Sequence, residues 1–183
     1  MSEYVPAVLL TLAVCVVLVG LVALGWRHRL RRQGHVPAPA AVPAGLSEPH
    51  VSVDGQYVST TTAGDWLDRI AVHSLGFKAN AVLTVHPEGA LYARDGAPDV
   101  FVPVADLTSV RRESGMAGKF VERDGLIVAE WRLGGLAVDT GFRPRFGDDG
   151  DAAVAAIDMI IAAHAAEARG PQNNHDVEKK DTK

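Results

Sequence analysis

The chain has 183 residues, 48% of them hydrophobic and 22% charged, with 18 Lys and Arg against 22 Asp and Glu for a net charge of −4. That length holds one ordinary domain with appendages and excludes a large multidomain enzyme or a polytopic transporter. A single cysteine excludes a disulfide framework and any cysteine-based zinc site.

The first element is apolar. Residues 5–26 carry no charge, and only Pro6, Thr11, Gly20 and Gly25 interrupt the greasy run. As a helix, 22 residues rise about 33 Å, enough for the roughly 30 Å hydrocarbon core. Tyr4 and Trp26 sit at its ends, where amphipathic rings favour the headgroup level. A cleaved signal peptide needs a basic stretch before a shorter apolar run. Here Glu3 precedes the run, and Arg27, Arg29, Arg31 and Arg32 follow it. A lipoprotein box at Leu12-Ala13-Val14-Cys15 is a poor fit, because Val14 is too large and Cys15 lies mid-run. The segment therefore reads as a retained anchor, with the bilayer as partner of residues 5–26. The four arginines predict that residues 1–4 face outward and residues 27–183 lie in the cytoplasm, below an inner (plasma) membrane.

Residues 27–49 read as a basic juxtamembrane segment and a Pro/Ala linker, net charge +3, with Pro37, Pro39, Pro43 and Pro49. Such a stretch is extended at about 3.1 Å per residue and acts as a spacer, holding the domain up to tens of Å from the bilayer. Residues 50–169 form the domain, with net charge −6. That acidity argues against a nucleic-acid partner.

The domain reads as strands followed by one helix. Val51-Ser52-Val53 and the run 57–61 are β-rich on either side of a turn at Asp54-Gly55. Residues 69–75 alternate before Gly76. Residues 81–86 pair with 90–93 through Pro87-Glu88-Gly89. Further strands follow at 100–104, 107–112 and 126–133, the last turning at Gly134-Gly135 into 136–140. Short strands at this spacing predict a barrel or sandwich. Asp148, Asp149 and Asp151 crowd the start of the last element, where a helix favours acids. Val154, Ile157, Ile160, Ile161 and His164 then recur on one helical stripe, until Gly170-Pro171. Residues 170–183 are polar and predicted to be disordered.

About seven strands in a bent antiparallel sheet leave one end of the core open, and one amphipathic helix is the piece that closes it. Three runs sharpen the comparison: Gly55-Gln56-Tyr57-Val58-Ser59-Thr60-Thr61-Thr62-Ala63-Gly64-Asp65-Trp66-Leu67-Asp68-Arg69, Arg111-Arg112-Glu113-Ser114-Gly115-Met116-Ala117-Gly118-Lys119, and Asp139-Thr140-Gly141-Phe142-Arg143-Pro144-Arg145. With the anchor and the Pro/Ala linker, they give a chain that resembles the membrane-anchored PH-like domain proteins of actinobacteria. The excess of Arg over Lys fits such a source. The resemblance implies a mainly β, PH-like sandwich capped by a C-terminal helix after one transmembrane helix. Some members are labelled export or transport proteins.

Chemistry-bearing motifs are sparse. Gly115-Met116-Ala117-Gly118-Lys119-Phe120 lacks the four-residue spacing and the Ser or Thr of a phosphate loop. It reads as a pliable Gly-rich loop suited to a partner. Val138-Asp139-Thr140-Gly141 matches the aspartic-protease signature, which as one copy needs a homodimer to share a proton between two carboxylates. The alternative is a strand-end Asp139 paired to an arginine. Arg111, Arg112, Arg143 and Arg145, with Gly115, Met116, Gly118 and Lys119, are the candidate anion- or partner-binding residues. The competing reading is a solvated face balanced by Glu113, Glu122, Asp124 and Glu130. The 60–68 stretch, where inositide-binding PH domains carry cations, holds Asp65 and Asp68 instead. No histidine has metal-ligand spacing, and no motif implies a cofactor. Trp66 and Trp131 read as core anchors, with an exposed Trp66 marking an interface instead. Three functions follow: a non-enzymatic scaffold for an unidentified protein partner, an accessory subunit of a transport or export complex, and a dimeric hydrolase using Asp139.

Overall fold

The computed structural model describes residues 4–116, 119–120 and 125–169. Residues 1–3 and the tail 170–183 lie outside them. Helix α1, Val5–Arg32, is followed by β1 (Val51–Thr62), β2 (Asp65–Arg69), β3 (Ala79–His86), β4 (Gly89–Arg94), β5 (Val100–Pro103) and β6 (Leu107–Glu113). The ladder β7 (Gly115–Met116) and β8 (Lys119–Phe120) precedes β9 (Leu126–Leu133), β10 (Leu136–Pro144) and helix α2 (Gly147–Arg169).

The main sheet runs β5-β4-β3-β1-β10-β9-β6, antiparallel throughout, with β2 on the far end of β1. Strand β1 is the hinge. Its first half pairs with β3 and its second half with β10, so the two wings fold towards each other. The inner faces bury Val53, Tyr57, Leu83, Tyr92, Ile127, Trp131, Val138 and Phe142. Tyr57, Tyr92 and Phe142 stack at centroid separations of 5.8 and 6.0 Å, a tilted geometry that suits ring quadrupoles. Helix α2 closes the open end against β6, β1, β10 and β3. Ala153 and Ala156 let it approach closely, and Ile157 and Ile160 fill the core. Each such isoleucine contributes about 1.5–3 kcal/mol by burial. This bent sheet closed by one C-terminal helix is the arrangement that the resemblance implied.

Three local expectations change. Asp54-Gly55 is no turn, because β1 runs straight through it. A Cβ on Gly55 would stand 2.3 Å from the Arg143 carbonyl oxygen and 2.5 Å from the Phe142 ring. The glycine serves a close strand crossing, which reads like a turn signal in sequence. Residues 69–75 are not one strand. β2 ends at Arg69, and a 3₁₀ turn follows at Val72–Ser74, with His73 and Ser74 at φ of 55° and 58°. Alternation survives there only because Ile70, Ala71 and Leu75 dip into the core.

The third change concerns residues 33–50, which lie along the domain as a strap rather than extending as a spacer. Gln33 grips the backbone at the end of β2. Its Nε2 donates to the Arg69 carbonyl at 2.9 Å, and its Oε1 accepts from the Ala71 amide at 2.6 Å. Val36 is buried in the core, and its carbonyl meets His73 Nε2 at 2.8 Å. Pro37 packs over Gly134, Ala40 bridges Phe101, and Ser47 binds the Glu88 carboxylate and His86. Helix α1 also continues past the apolar run through Arg32, so Arg27, Arg29, Arg31 and Arg32 are all helical. Residues Ala7–His28 are long and apolar enough to cross a membrane, and the apolar window within them is not buried in the protein.

Candidate functional site

At one end of the β1–β10 crossing, an open pocket of about 560 Å³ gathers three of the candidate arginines. Their convergence follows from strand registry. Arg143 pairs with Gln56 across β1 and β10, and Pro144 pairs with Gly55. Arg145 stands two residues beyond Arg143, just past the end of β10, and lines the same pocket. Its amide donates to the Asp54 carbonyl at 2.8 Å. Both side chains are exposed and form no ion pair among the described residues.

Arg112 reaches the same pocket from the edge strand β6. Its guanidinium crosses the first turn of α2, where a Cβ on Gly150 would lie 1.8 Å from Nη1. That nitrogen is buried without a hydrogen-bond partner, and its nearest carboxylate oxygen, on Asp151, is 3.7 Å away. A cation at the positive end of a helix is disfavoured. Asp148 and Asp149 on that turn, with Asp151 just after it, offset it. Asp54 and Asp95 also line the pocket, so the rim carries both signs with arginine in excess.

Arg111 does not join this group. Successive residues of a strand face opposite sides, and Arg111 points to the outer surface of the sheet. There its Nη1 and Nη2 donate to both oxygens of Asp139, at 3.1 and 2.8 Å. Its Nε donates to Glu113 at 3.1 Å. The hydrogen bond to Asp139, ahead of Glu113, holds the Arg111 guanidinium pKa above its ordinary value despite partial burial. Asp139 also accepts from the Gly64 amide at 3.3 Å. An aspartic dyad needs a carboxylate free to face a second carboxylate and share a proton. The oxygens of Asp139 are occupied instead, so the hydrolase reading loses its geometry and the pairing of Asp139 with an arginine stands.

Of the Gly-rich candidates, Gly115 and Met116 pair with Phe120 and Lys119 in a short ladder. Gly118 lies outside the described residues. Among the described residues, no three His, Cys, Asp or Glu side chains gather where a metal would sit. His86 is held by the Ser47 carbonyl and Thr84. Trp131 is a core anchor, its Nε1 donating to Thr140 at 2.8 Å. Trp66 is not, for it stands 46% exposed on β2.

Sequence reasoning missed the contact surface around Phe77. Its ring is half-exposed and lies 6.3 Å, centroid to centroid, from that of Trp26 on α1. Nothing in the order of residues brings positions 26 and 77 together.

A family model described as bacterial PH domain-like matches residues 35–159. Among solved structures, the chain is similar to one of Vav1 inhibited by an allosteric inhibitor, at 14% identity and a TM-score of 0.40. The match covers 74% of this chain and 33% of that one, so the chain spans about a third of the Vav1 chain. No curated protein matches the sequence.

Proposed function

The chain belongs to the bacterial PH domain-like family, and from that premise we propose that it is a single-pass membrane protein whose PH-like domain is a non-enzymatic interaction module. The partner is a protein that presents an acidic or phosphorylated segment to the pocket of Arg112, Arg143 and Arg145. One observation carries this reading. A domain of net charge −6 gathers three arginines at one concavity and leaves Arg143 and Arg145 without carboxylate partners among the described residues. Arginine forks suit carboxylate and phosphate oxygens. The membrane role rests on the span Ala7–His28, and the cytoplasmic orientation of the domain on the four arginines that follow the apolar run.

A photoreactive residue at Gln56, on the pocket wall, tests this in cells. A discrete protein crosslink that is lost in Arg143→Glu/Arg145→Glu is the expected result. Charge-assisted bonds of about 1.5–3 kcal/mol each correspond to at least a tenfold weakening. A crosslinking pattern indifferent to the charge reversal overturns it. The accessory-subunit reading has one observation in its favour, the unburied flank of the span. Replacing residues 7–24 by an unrelated apolar sequence separates the two, since a scaffold keeps its crosslink and a subunit docked through its helix loses it.

A further inference from the structure

We infer that the loop bearing Phe77 and Lys78 is a second membrane contact, seated in the anionic headgroup layer beside the end of the anchor helix. This rests on the membrane-spanning reading of α1.

The argument starts from depth. The apolar span ends at His28, so Trp26 lies in its last turn, where the hydrocarbon meets the headgroups. The headgroup layer is about 5–8 Å thick on each side. Phe77 is in ring contact with Trp26. A side chain that touches a spanning helix at that level shares its environment. The domain is also unable to drift away from it. Gln33, which holds the end of β2 by two hydrogen bonds, follows His28 by only five residues, about 7.5 Å of helical rise.

The second argument is rigidity. An aromatic ring held half in water has no evident benefit for folding, yet this loop is fixed so as to present it. His73 and Ser74 adopt left-handed φ values without being glycine, a conformation that persists only where the surroundings enforce it. They are enforced here. The buried Arg94 donates from Nη1 to the Ser74 carbonyl at 2.8 Å. Tyr57 Oη donates to the Leu75 carbonyl, which also accepts from the Thr60 amide. His73 is tied to Val36. Phe77 and Lys78 both emerge exposed from this platform. An apolar ring beside a long basic side chain suits an interface with acyl chains below and phosphates above. Arg27 and Arg31, exposed on the adjoining helix turns, supply further positive charge at the same level.

The test uses the full chain in vesicles of equal parts phosphatidylcholine and phosphatidylglycerol. In a Cys15→Ser background, an environment-sensitive fluorophore is placed at Phe77→Cys, at Lys78→Cys, which leaves the ring intact, or at Leu24→Cys within the span. Lipids carrying a shallow spin label serve as quenchers. Quenching at position 77 or 78 to at least half the extent seen at 24 is expected. Quenching at 24 with none at 77 or 78 overturns the inference and leaves the anchor intact. No quenching at any of the three overturns the membrane reading itself, and the inference with it.

Discussion

Tyr57 shows how a single residue couples the core to pH. It is fully buried, with its hydroxyl 2.6 Å from Thr60 Oγ1 and 3.1 Å from the Leu75 carbonyl, and with the Arg94 guanidinium 4.5 Å above its ring. Burial dominates and pushes its pKa up to about 12, against the pull of Thr60 and Arg94. Burial shifts Tyr92 in the same direction. An unfolded tyrosine ionises near 10, so the folded Tyr57 keeps a proton that the unfolded chain has already lost. Its contribution to stability is complete below pH 10 and disappears as pH rises through 12. The two-unit difference amounts to about 3 kcal/mol. The phenolate absorbance of the buried Tyr57 and Tyr92, beyond that of the exposed Tyr4, should therefore appear together with the loss of near-ultraviolet circular dichroism in that window. A full phenolate signal with native dichroism contradicts this. Asp139 makes a different point at the same scale. Its Asp-Thr-Gly setting is compatible with either a catalytic or a structural carboxylate, and only the approach of Arg111 from another strand decides between them.

Elements were legible wherever one periodicity governed a whole segment. Strand β9 reads plainly because Ile127, Ala129, Trp131 and Leu133 all face the core. The β3–β4 hairpin is announced by Pro87-Glu88-Gly89, and helix α2 by its acidic first turn and isoleucine stripe. Three of the four candidate arginines, Arg112, Arg143 and Arg145, line one pocket. The fourth differs because a one-residue step along β6 reverses the face. The strap was illegible for a physical reason. A Pro/Ala stretch has the same composition whether it is free or docked, and its docking depends on Gln33, Val36 and Pro37 meeting residues that lie 36 to 97 positions away. The clamp has a measurable consequence. Gln33→Ala removes two hydrogen bonds and leaves the Ala71 amide and Arg69 carbonyl to find water, at a cost of about 1–3 kcal/mol. That loss should loosen the joint between α1 and the domain while β-sheet content stays constant. Distance distributions between spin labels at Leu24→Cys and Asp106→Cys, in a Cys15→Ser background, should broaden in the variant. An unchanged distribution means that Val36 and His73 hold the joint without it.

On the scale of the whole molecule, the proposed reading gives two attachments that respond to different solvents. The span Ala7–His28 is apolar, and its transfer into lipid does not depend on ionic strength. The pocket attachment is electrostatic and open to water, which makes it sensitive to screening. The Debye length falls from about 10 Å at 0.1 M salt to about 3 Å at 1 M, so the exposed Arg143 and Arg145 lose most of their reach over that range. On the proposed reading, the crosslink from Gln56 should weaken steeply between those concentrations while the protein stays in the membrane fraction. Arg143→Ala/Arg145→Ala should lower the crosslink at low salt and flatten its salt dependence, because the charges being screened are gone. The partly buried Arg112 is shielded from bulk ions and should account for whatever slope remains. A crosslink that resists high salt as well as the wild-type anchor does would mean that the partner is held by apolar contact, and the exposed Trp66 and Leu67 on β2 would then be the surface to mutate. Loss of the protein itself from the membrane at high salt would instead contradict the spanning helix, since only a peripheral, charge-held protein is released by screening.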